Sequence, residues 1–291
     1  MLRVLWSGRS AMYAQQEKLD AISNNIANVN TEGYKRQDVS FQDLMYETLD
    51  RRGYPVDEQG NKNQINGTGV KTGPWIRDNS QGVLNNTGSS TDFAIDGNGY
   101  FKVFRDNKEY YIRAGSFNID NRGNLVDKNG NILEIDTNIE NFIDEDEEYD
   151  FDDYYDDDYD YEDDFDEYDE FDEGQRRTPL TKDNFYVEKD GRVYLKNNDK
   201  KPRLIGKINV YDAVGENAFI SVADNLYTPV EGVNPQAVNS DILQGYVERS
   251  NVKMEKEMAD MIVSQRAFEF SSRAVRTADE MWGMINNLRS R

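Results

Sequence analysis

The chain has no cysteine and no histidine. Without cysteine there is no disulfide framework, no thiolate nucleophile and no iron–sulfur ligand set. Without histidine there is no Ser-His-Asp triad, no Cys-His pair and no His-ligated zinc. Metal-free hydrolysis by paired carboxylates survives as an option, and so does any role as a binding or structural part. Long apolar runs are missing too. No stretch approaches the roughly 20 residues needed to span a bilayer. The first residues, Met1 to Arg9, turn polar too soon for a secretory leader, so the expectation is no membrane insertion and no cleaved signal. Proline is scarce and confined: all six lie between Pro55 and Pro235, which leaves both ends of the chain free to form long helices.

What is present is unevenly spread. The 291 residues suit about two domains, and the formal charge is −22, from 34 Lys and Arg against 56 Asp and Glu. Residues 144–173 hold 21 Asp or Glu and nine Tyr or Phe and nothing else. Outside that run, acids and bases nearly balance, so the acidity belongs to one insertion. Like charges along it repel and its rings mark no periodic face, which predicts a disordered, solvated segment.

At the N-terminus Leu5, Met12, Leu19 and Ile26 recur every seven residues, with Gly8, Gln15, Ile22 and Val29 three positions after each. This is a heptad seam, and the helix is expected to stop within Asn24–Asn30, with Gly33 as a flexible exit. At the C-terminus Met254, Met261, Phe268, Val275 and Trp282 keep the same period, and Met258, Ile262, Ala278 and Ile285 are read as widening that stripe. Ser250 is the expected N-cap of a helix running to about Leu288, roughly 55 Å long at 1.5 Å per residue. Burying the five seam side chains is worth on the order of 10 kcal/mol gross. An isolated helix gains none of it. The partner is either the N-terminal helix of the same chain, as a helical hairpin, or further copies bundled about an axis.

Between the ends the period becomes two. Asp92–Ile95 and Tyr100–Phe104, joined by Asp96–Gly99, read as a hairpin. Short strands are expected at 109–113, 116–119, 125–126, 132–135, 185–187, 192–195 and 207–211. The fold class is therefore α+β: terminal helices forming a coiled-coil assembly domain around a central all-β domain with a disordered acidic insertion. The divisions expected are an N-terminal helical segment 1–50, an extended connection 51–80, β parts 81–143 and 174–235 flanking the insertion 144–173, and a C-terminal helical segment 236–291.

Three chemical motifs fail on inspection. Asp96-Gly97-Asn98-Gly99 lacks the following Lys-Ser/Thr of a phosphate loop and leads into a strand. Asp127–Asn131 starts like a calcium loop, but the sixth position is Ile132 and the twelfth Asn138. No carboxylate sits among the aromatic and polar neighbours of a glycosidase cleft. No catalytic, cofactor or metal residues are assigned, and no nucleic-acid partner.

Ser23-Asn24-Asn25-Ile26-Ala27-Asn28-Val29-Asn30-Thr31-Glu32-Gly33-Tyr34-Lys35-Arg36 resembles the N-terminal signature of flagellar rod, hook and hook-associated axial proteins. Asp92–Val103 and Tyr111–Asn118 are similar to their middle β domain. Gly245–Val252, Glu257-Met258, Met261-Ile262, Gln265-Arg266-Ala267 and Thr277–Met281 resemble their C-terminal helix. Within that family, Gln42–Leu49 and the stretch from Arg52 to Gly73 are most like the members of the distal rod, with the proximal rod as the alternative. The resemblance implies a non-enzymatic subunit that polymerises into a hollow helical shaft carrying torque from motor to hook, and so serves motility. It implies flagellar type III export without a cleaved signal, a place in the extracytoplasmic basal body, and adjacent rod and hook proteins as partners; the stretch from Asp50 to Gly73 is expected to add lateral contacts that stiffen the shaft. The rivals from other classes are a rod-associated peptidoglycan hydrolase and a secreted, acidic, cation-binding adhesive module; neither accounts for heptads at both ends. Because adjacent copies of the acidic run repel, it must lie on the outside of any assembly. Deleting 144–173 is expected to leave polymerisation intact; electron microscopy of basal bodies from the deletion strain checks this, and missing rods would give the run an assembly role.

Overall fold

The computed structural model describes residues 2–44, 46–48, 65–67, 69–137, 180–182, 184–197, 200–215, 218–223 and 225–289. The acidic run, expected to be disordered, lies outside the described residues, as does most of the stretch from Arg52 to Gly73. Two helices bracket a β body, giving the α+β class. Helix α1 spans Leu2–Ala27 and helix α2 spans Met254–Arg289. At 36 residues α2 is about 54 Å long.

The ends of both helices have local causes. The side-chain amide of Asn28 donates to Asn24 O and Asn24 Oδ1, each at 2.9 Å, and Thr31 Oγ1 donates to Asn28 Oδ1 at 3.1 Å. Asn24 O also accepts from Asn28 N at 3.1 Å, so the Asn28 side chain folds back over the last turn of α1. Gly33 then turns the chain in the left-handed region, at φ 67°. A Cβ there would stand 2.4 Å from Ala114 N, so the position needs glycine for closeness as well as conformation. At α2 the expected cap is corrected. Ser250 Oγ accepts from Val252 N before the helix begins, while the Lys253 carbonyl accepts from Lys256 N and Glu257 N. The helix starts at Met254 because the serine is spent on its own local turn.

After α1 the chain forms a two-stranded antiparallel arm: Gln37–Asp43 pairs with Val70–Arg77, and Tyr46–Thr48 with Ile65–Gly67. The largest sheet runs in the order Phe219–Ala223, Leu226–Pro229, Lys108–Ile112, Tyr100–Arg105, Ile132–Leu133, Leu125–Val126, Asn118–Ile119, with Val210–Asp212 bridging Tyr100–Arg105 to Gln236–Val238. Phe185–Val187, Arg192–Asn197 and Lys200–Lys207 form a separate three-stranded sheet. Leu84–Asn86 pairs with Tyr246–Glu248.

The hairpin expected across Asp96–Gly99 does not form. Phe93–Asp96 pairs instead with Asp241–Gln244, far along the chain, and Tyr100–Arg105 with Lys108–Ile112. The turn faces a different partner: Arg113 donates to the carbonyls of Ile95 (3.1 Å), Gly97 (2.6 Å) and Gly99 (2.5 Å). A buried guanidinium with a set of bent carbonyls outcompetes a local ladder here.

Two apolar clusters hold the body. Phe93, Phe101, Phe117 and Phe185 centre the larger, with ring centroids 5.9 to 6.4 Å apart. Tyr100, Tyr111, Phe219 and Tyr227 form the smaller. Neither helix contributes a residue to either cluster, so the β body has its own core. Phe101→Ala, at a side chain with no exposure, is expected to cost about 3–5 kcal/mol in urea unfolding and to melt the body; a loss below about 1 kcal/mol would show that the body does not depend on this core.

Candidate assembly surface

The helices run antiparallel. Asn25, late in α1, meets Glu257 at the start of α2, and Gly8, early in α1, lies against Val275 and Ser271. A Cβ on Gly8 would stand 2.6 Å from Val275 Cγ2, so glycine lets the two backbones approach. The most buried line of α1 is made of Gly8, Ala14, Ala21, Ile22 and Asn25. The heptad residues Leu5, Met12, Leu19 and Ile26 flank it half-buried. On α2, Glu257, Ser264 and Ala278 are buried, and Met254, Met261, Phe268, Ser271 and Val275 are half-buried. Thus the helical hairpin, the plainer of the two expected arrangements, is formed within one molecule.

It leaves much of α2 uncovered. Met258, Ile262 and Ile285, expected on the inner stripe, are exposed, as is Trp282 at its end; of the flanking positions only Ala278 turns inward. One residue of shift at 100° per residue is enough to carry a side chain off a seam. A second heptad line appears on the outer side. Val263, Phe270 and Met284 share the seven-residue period, with Thr277 between, and Ala274, Met281 and Leu288 run beside them. Val263 is 66% exposed, Phe270 71% and Leu288 77%. Because Gly8 lies opposite Val275, the last turns of α2, with Met284, Ile285 and Leu288, project past the start of α1. On α1 the exposed Trp6 and Tyr13 flank Arg9, whose guanidinium carbon is 5.8 and 5.5 Å from their ring centroids.

The signature residues do not face outward with these stripes. They build the joint that sets the helical pair on the body. Asn25 is fully buried and fully used: Nδ2 donates to Gln37 O (2.8 Å) and Glu257 Oε2 (3.1 Å), and Oδ1 accepts from Tyr34 OH (3.2 Å) and Gln37 N (2.9 Å). Glu257 has no exposure and takes a second bond from Arg36 Nε at 2.5 Å. Arg36 also bonds Asp38 Oδ2 at 3.0 Å, and Asp38 pairs with Lys18 of α1. Burial and the nearby Glu257 charge push the Tyr34 hydroxyl up to about 12. Asn24, Asn28 and Thr31 close α1 as described above, while Gln265 and Arg266 are exposed on α2.

A second ionic cluster lies beneath the signature. Lys35 Nζ donates to Glu248 Oε1 at 2.7 Å, Arg113 Nε pairs with Glu248 Oε2, and Gly82 N donates to Glu248 Oε1 at 2.7 Å. All three side chains are at most 3% exposed. Burial alone would raise the Glu248 carboxyl, but the charges of Arg113 and Lys35 and the bonds from Lys35 and Gly82 outweigh it and hold the group below its usual range.

The sequence reading had missed Glu248, Glu257 and Arg113 as key positions. For Glu257 a signal existed: an acid one helical turn before Met261, in line with an otherwise apolar seam. Arg113 and Glu248 fall inside the motif blocks Tyr111–Asn118 and Gly245–Val252, but nothing local marks their roles, because their partners are backbone carbonyls and residues far away in sequence.

Three family models match along this architecture: the flagella basal body rod protein model at residues 5–35, the flagellar hook protein FlgE/F/G D1 domain at 94–152, and the flagellar basal body rod FlgEFG protein C-terminal model at 243–288. They fall on α1 with its signature, on the first part of the β body and on α2, and together define the flagellar axial class. At full length the chain is 31% identical to the flagellar basal-body rod protein FlgG of Buchnera aphidicola subsp. Baizongia pistaciae, over 97% of each chain. It is 31% identical to FlgG of Borreliella burgdorferi over 99% of each. A flagellar hook protein FlgE from Treponema pallidum is 42% identical over 127 residues, 43% of this chain and 27% of that one. The chain belongs to the FlgG family of flagellar basal-body rod proteins. No described helix is long and apolar enough to cross a membrane.

Glu248→Gln keeps the shape but removes the charge that balances Lys35 and Arg113, and is expected to cost about 3–5 kcal/mol in urea unfolding. The pH dependence has a defined sign. With its folded value lowered from 4.5, Glu248 contributes stability that is full above the unfolded carboxylate value and fades as pH falls through the folded one. Asp38, whose burial is outweighed chiefly by Lys18, and Glu32, whose burial is outweighed by the bonds from Ser116 and Lys128, are also lowered and act in the same sense. Unfolding midpoints measured downward from pH 7 should therefore drop below about pH 4.5, less steeply in Glu248→Gln; equal slopes would contradict the assignment.

Proposed function

We propose that the chain is a structural subunit of the distal flagellar rod, and that copies polymerise through the outer heptad line of α2 into a coiled-coil shaft that transmits torque for motility. The observation that carries this reading is the uncovered apolar line Val263–Phe270–Met284 with Met281 and Leu288. A helix face of this kind gains burial only from a packing partner, and its seven-residue period suits another helix. Covering its large side chains offers on the order of 10 kcal/mol gross, at about 2 kcal/mol each. Since the projecting end of α2 differs from the face it would meet, the contact is heterologous, and in the rod its rotation leaves it open, which yields a filament.

In this reading the α1/α2 hairpin is the inner element of the shaft, the β body lies outside it, and adjacent rod and hook proteins continue the same packing above and below. Export proceeds through the flagellar type III apparatus without a cleaved signal, and the subunit resides in the extracytoplasmic basal body. The stretch from Arg52 to Gly73 adds lateral contacts. The antiparallel arm that carries part of it presents exposed Phe41, Leu44 and Trp75, which supports that role.

Two substitutions two residues apart separate the assembly face from the hairpin seam. Phe270→Asp acts on an exposed side chain and is expected to leave monomer stability within about 0.5 kcal/mol while abolishing polymerisation and swimming. Phe268→Asp, half-buried against α1, is expected to loosen the hairpin as well, visible as lost helical circular dichroism, with the β body still folded. Polymers and swimming at wild-type levels in Phe270→Asp would refute the assigned face.

A further inference from the structure

A cleft of about 340 Å³ opens where the antiparallel arm meets the largest sheet. Its charged lining is unbalanced. Lys35, Arg77 and Arg113 reach it against a single lining carboxylate, Asp212, which accepts from Ala213 N at 2.8 Å. Lys35 and Arg113 are matched from behind by Glu248, but Arg77 is not matched. Its Nη1 donates to Phe219 O at 3.2 Å, its guanidinium lies 4.4 Å over the Tyr227 ring, and its buried Nε has no hydrogen-bond partner. Among the described residues no carboxylate pairs with it. The side chains of Asn79 and Asn98 stand exposed at the cleft. Beside Arg77 the lining includes the rings of Tyr100 and Phe219, with centroids 4.8 Å apart and each residue 6% exposed.

This surface suits a ligand with carboxylates and aromatic rings at close spacing: the acids for Arg77 and the two amides, the rings for the edges of Tyr100 and Phe219 that reach the cleft. The chain contains a segment made of nothing else. Residues 144–173 combine 21 carboxylates with nine Tyr or Phe rings, and the described body ends close to them on both sides, at Thr137 and Leu180. At up to about 3.5 Å per residue, reach does not limit contact. Attachment to the same body at both ends holds the segment at an effective concentration on the order of millimolar without any association step. We propose that the Arg77 cleft is an intramolecular docking site for the acidic–aromatic run 144–173 of the same chain. Docking neutralises the unmatched guanidinium and draws part of the run onto the body, so that less of its charge faces neighbouring copies.

Backbone hydrogen–deuterium exchange of the full-length chain tests this, with a synthetic peptide of sequence 144–173 as the unprotected reference. Some part of the run is expected to exchange about tenfold more slowly in the protein than in the peptide, and to lose that protection in 1 M salt and in Arg77→Gln. Exchange in Phe93–Ile112 reports whether the body stays folded. If Arg77→Gln disturbs it, Asn98→Asp, which places a negative charge on the exposed turn at the cleft, is expected to remove the protection on its own. Exchange at the free-peptide rate in the wild type, or protection that survives both substitutions, overturns the proposal. Protection that grows with protein concentration overturns it as well, since it assigns the occupant to another copy.

Discussion

The buried carboxylate of Glu257 joins the two ends of this chain. Its bond to Asn25 links residues 232 positions apart, and its bond to Arg36 ties both to the segment leaving α1. An unpaired carboxylate at that depth would be costly, so the geometry holds only with all partners in place. Asn25 uses every donor and acceptor it has. From this one joint follow the antiparallel order of the helices, the register that brings Gly8 to Val275, and the overhang of α2.

The joint explains why the signature carries four asparagines and a glycine at its turn. Its task is to end a helix, reverse the chain and satisfy buried polar groups within a few residues. Asparagine carries two donors and an acceptor that takes two bonds, and Gly33 tolerates both the left-handed backbone and the approach of Ala114. Beneath it, Glu248 between Lys35 and Arg113 binds the same segment to the β body. The chain thus has two mechanical units, a helical pair and a β body with its own core, coupled through a compact set of charge-assisted bonds. A shaft subunit under torque needs such a coupling. Directional, fully satisfied polar contacts resist sliding better than apolar ones, whose energy depends chiefly on area.

The helical pair divides its surface between two uses. The inner face is built largely from small residues on α1 and mixed residues on α2, which favours close approach over maximal apolar burial. The larger side chains, Phe270, Met284 and Leu288 on α2 and Trp6 and Tyr13 on α1, point away from the hairpin. A monomer that buried them would be more stable and would have less reason to associate.

Much was legible in the sequence. The absence of proline at both ends and the seven-residue periods located two long helices, period-two segments located the strands between 93 and 133, 185–197 and 210–212 but not those at 37–48, 65–86, 200–207 and 219–248, and three ordered motif blocks led to the flagellar axial family to which the chain belongs. These depend on local backbone preferences and on spacing along the chain, which a sequence displays directly. What only the tertiary structure decided is pairing. Phe93–Asp96 joins Asp241–Gln244 and not its neighbour across the turn, Ser250 serves its own turn and not α2, Met258 and Ile262 lie off the inner seam, and Glu248 and Glu257 become the anchors of the molecule. Each of these depends on which distant group supplies a hydrogen bond, a counter-charge or a packing surface, and that choice arises only when the whole chain competes for its partners at once.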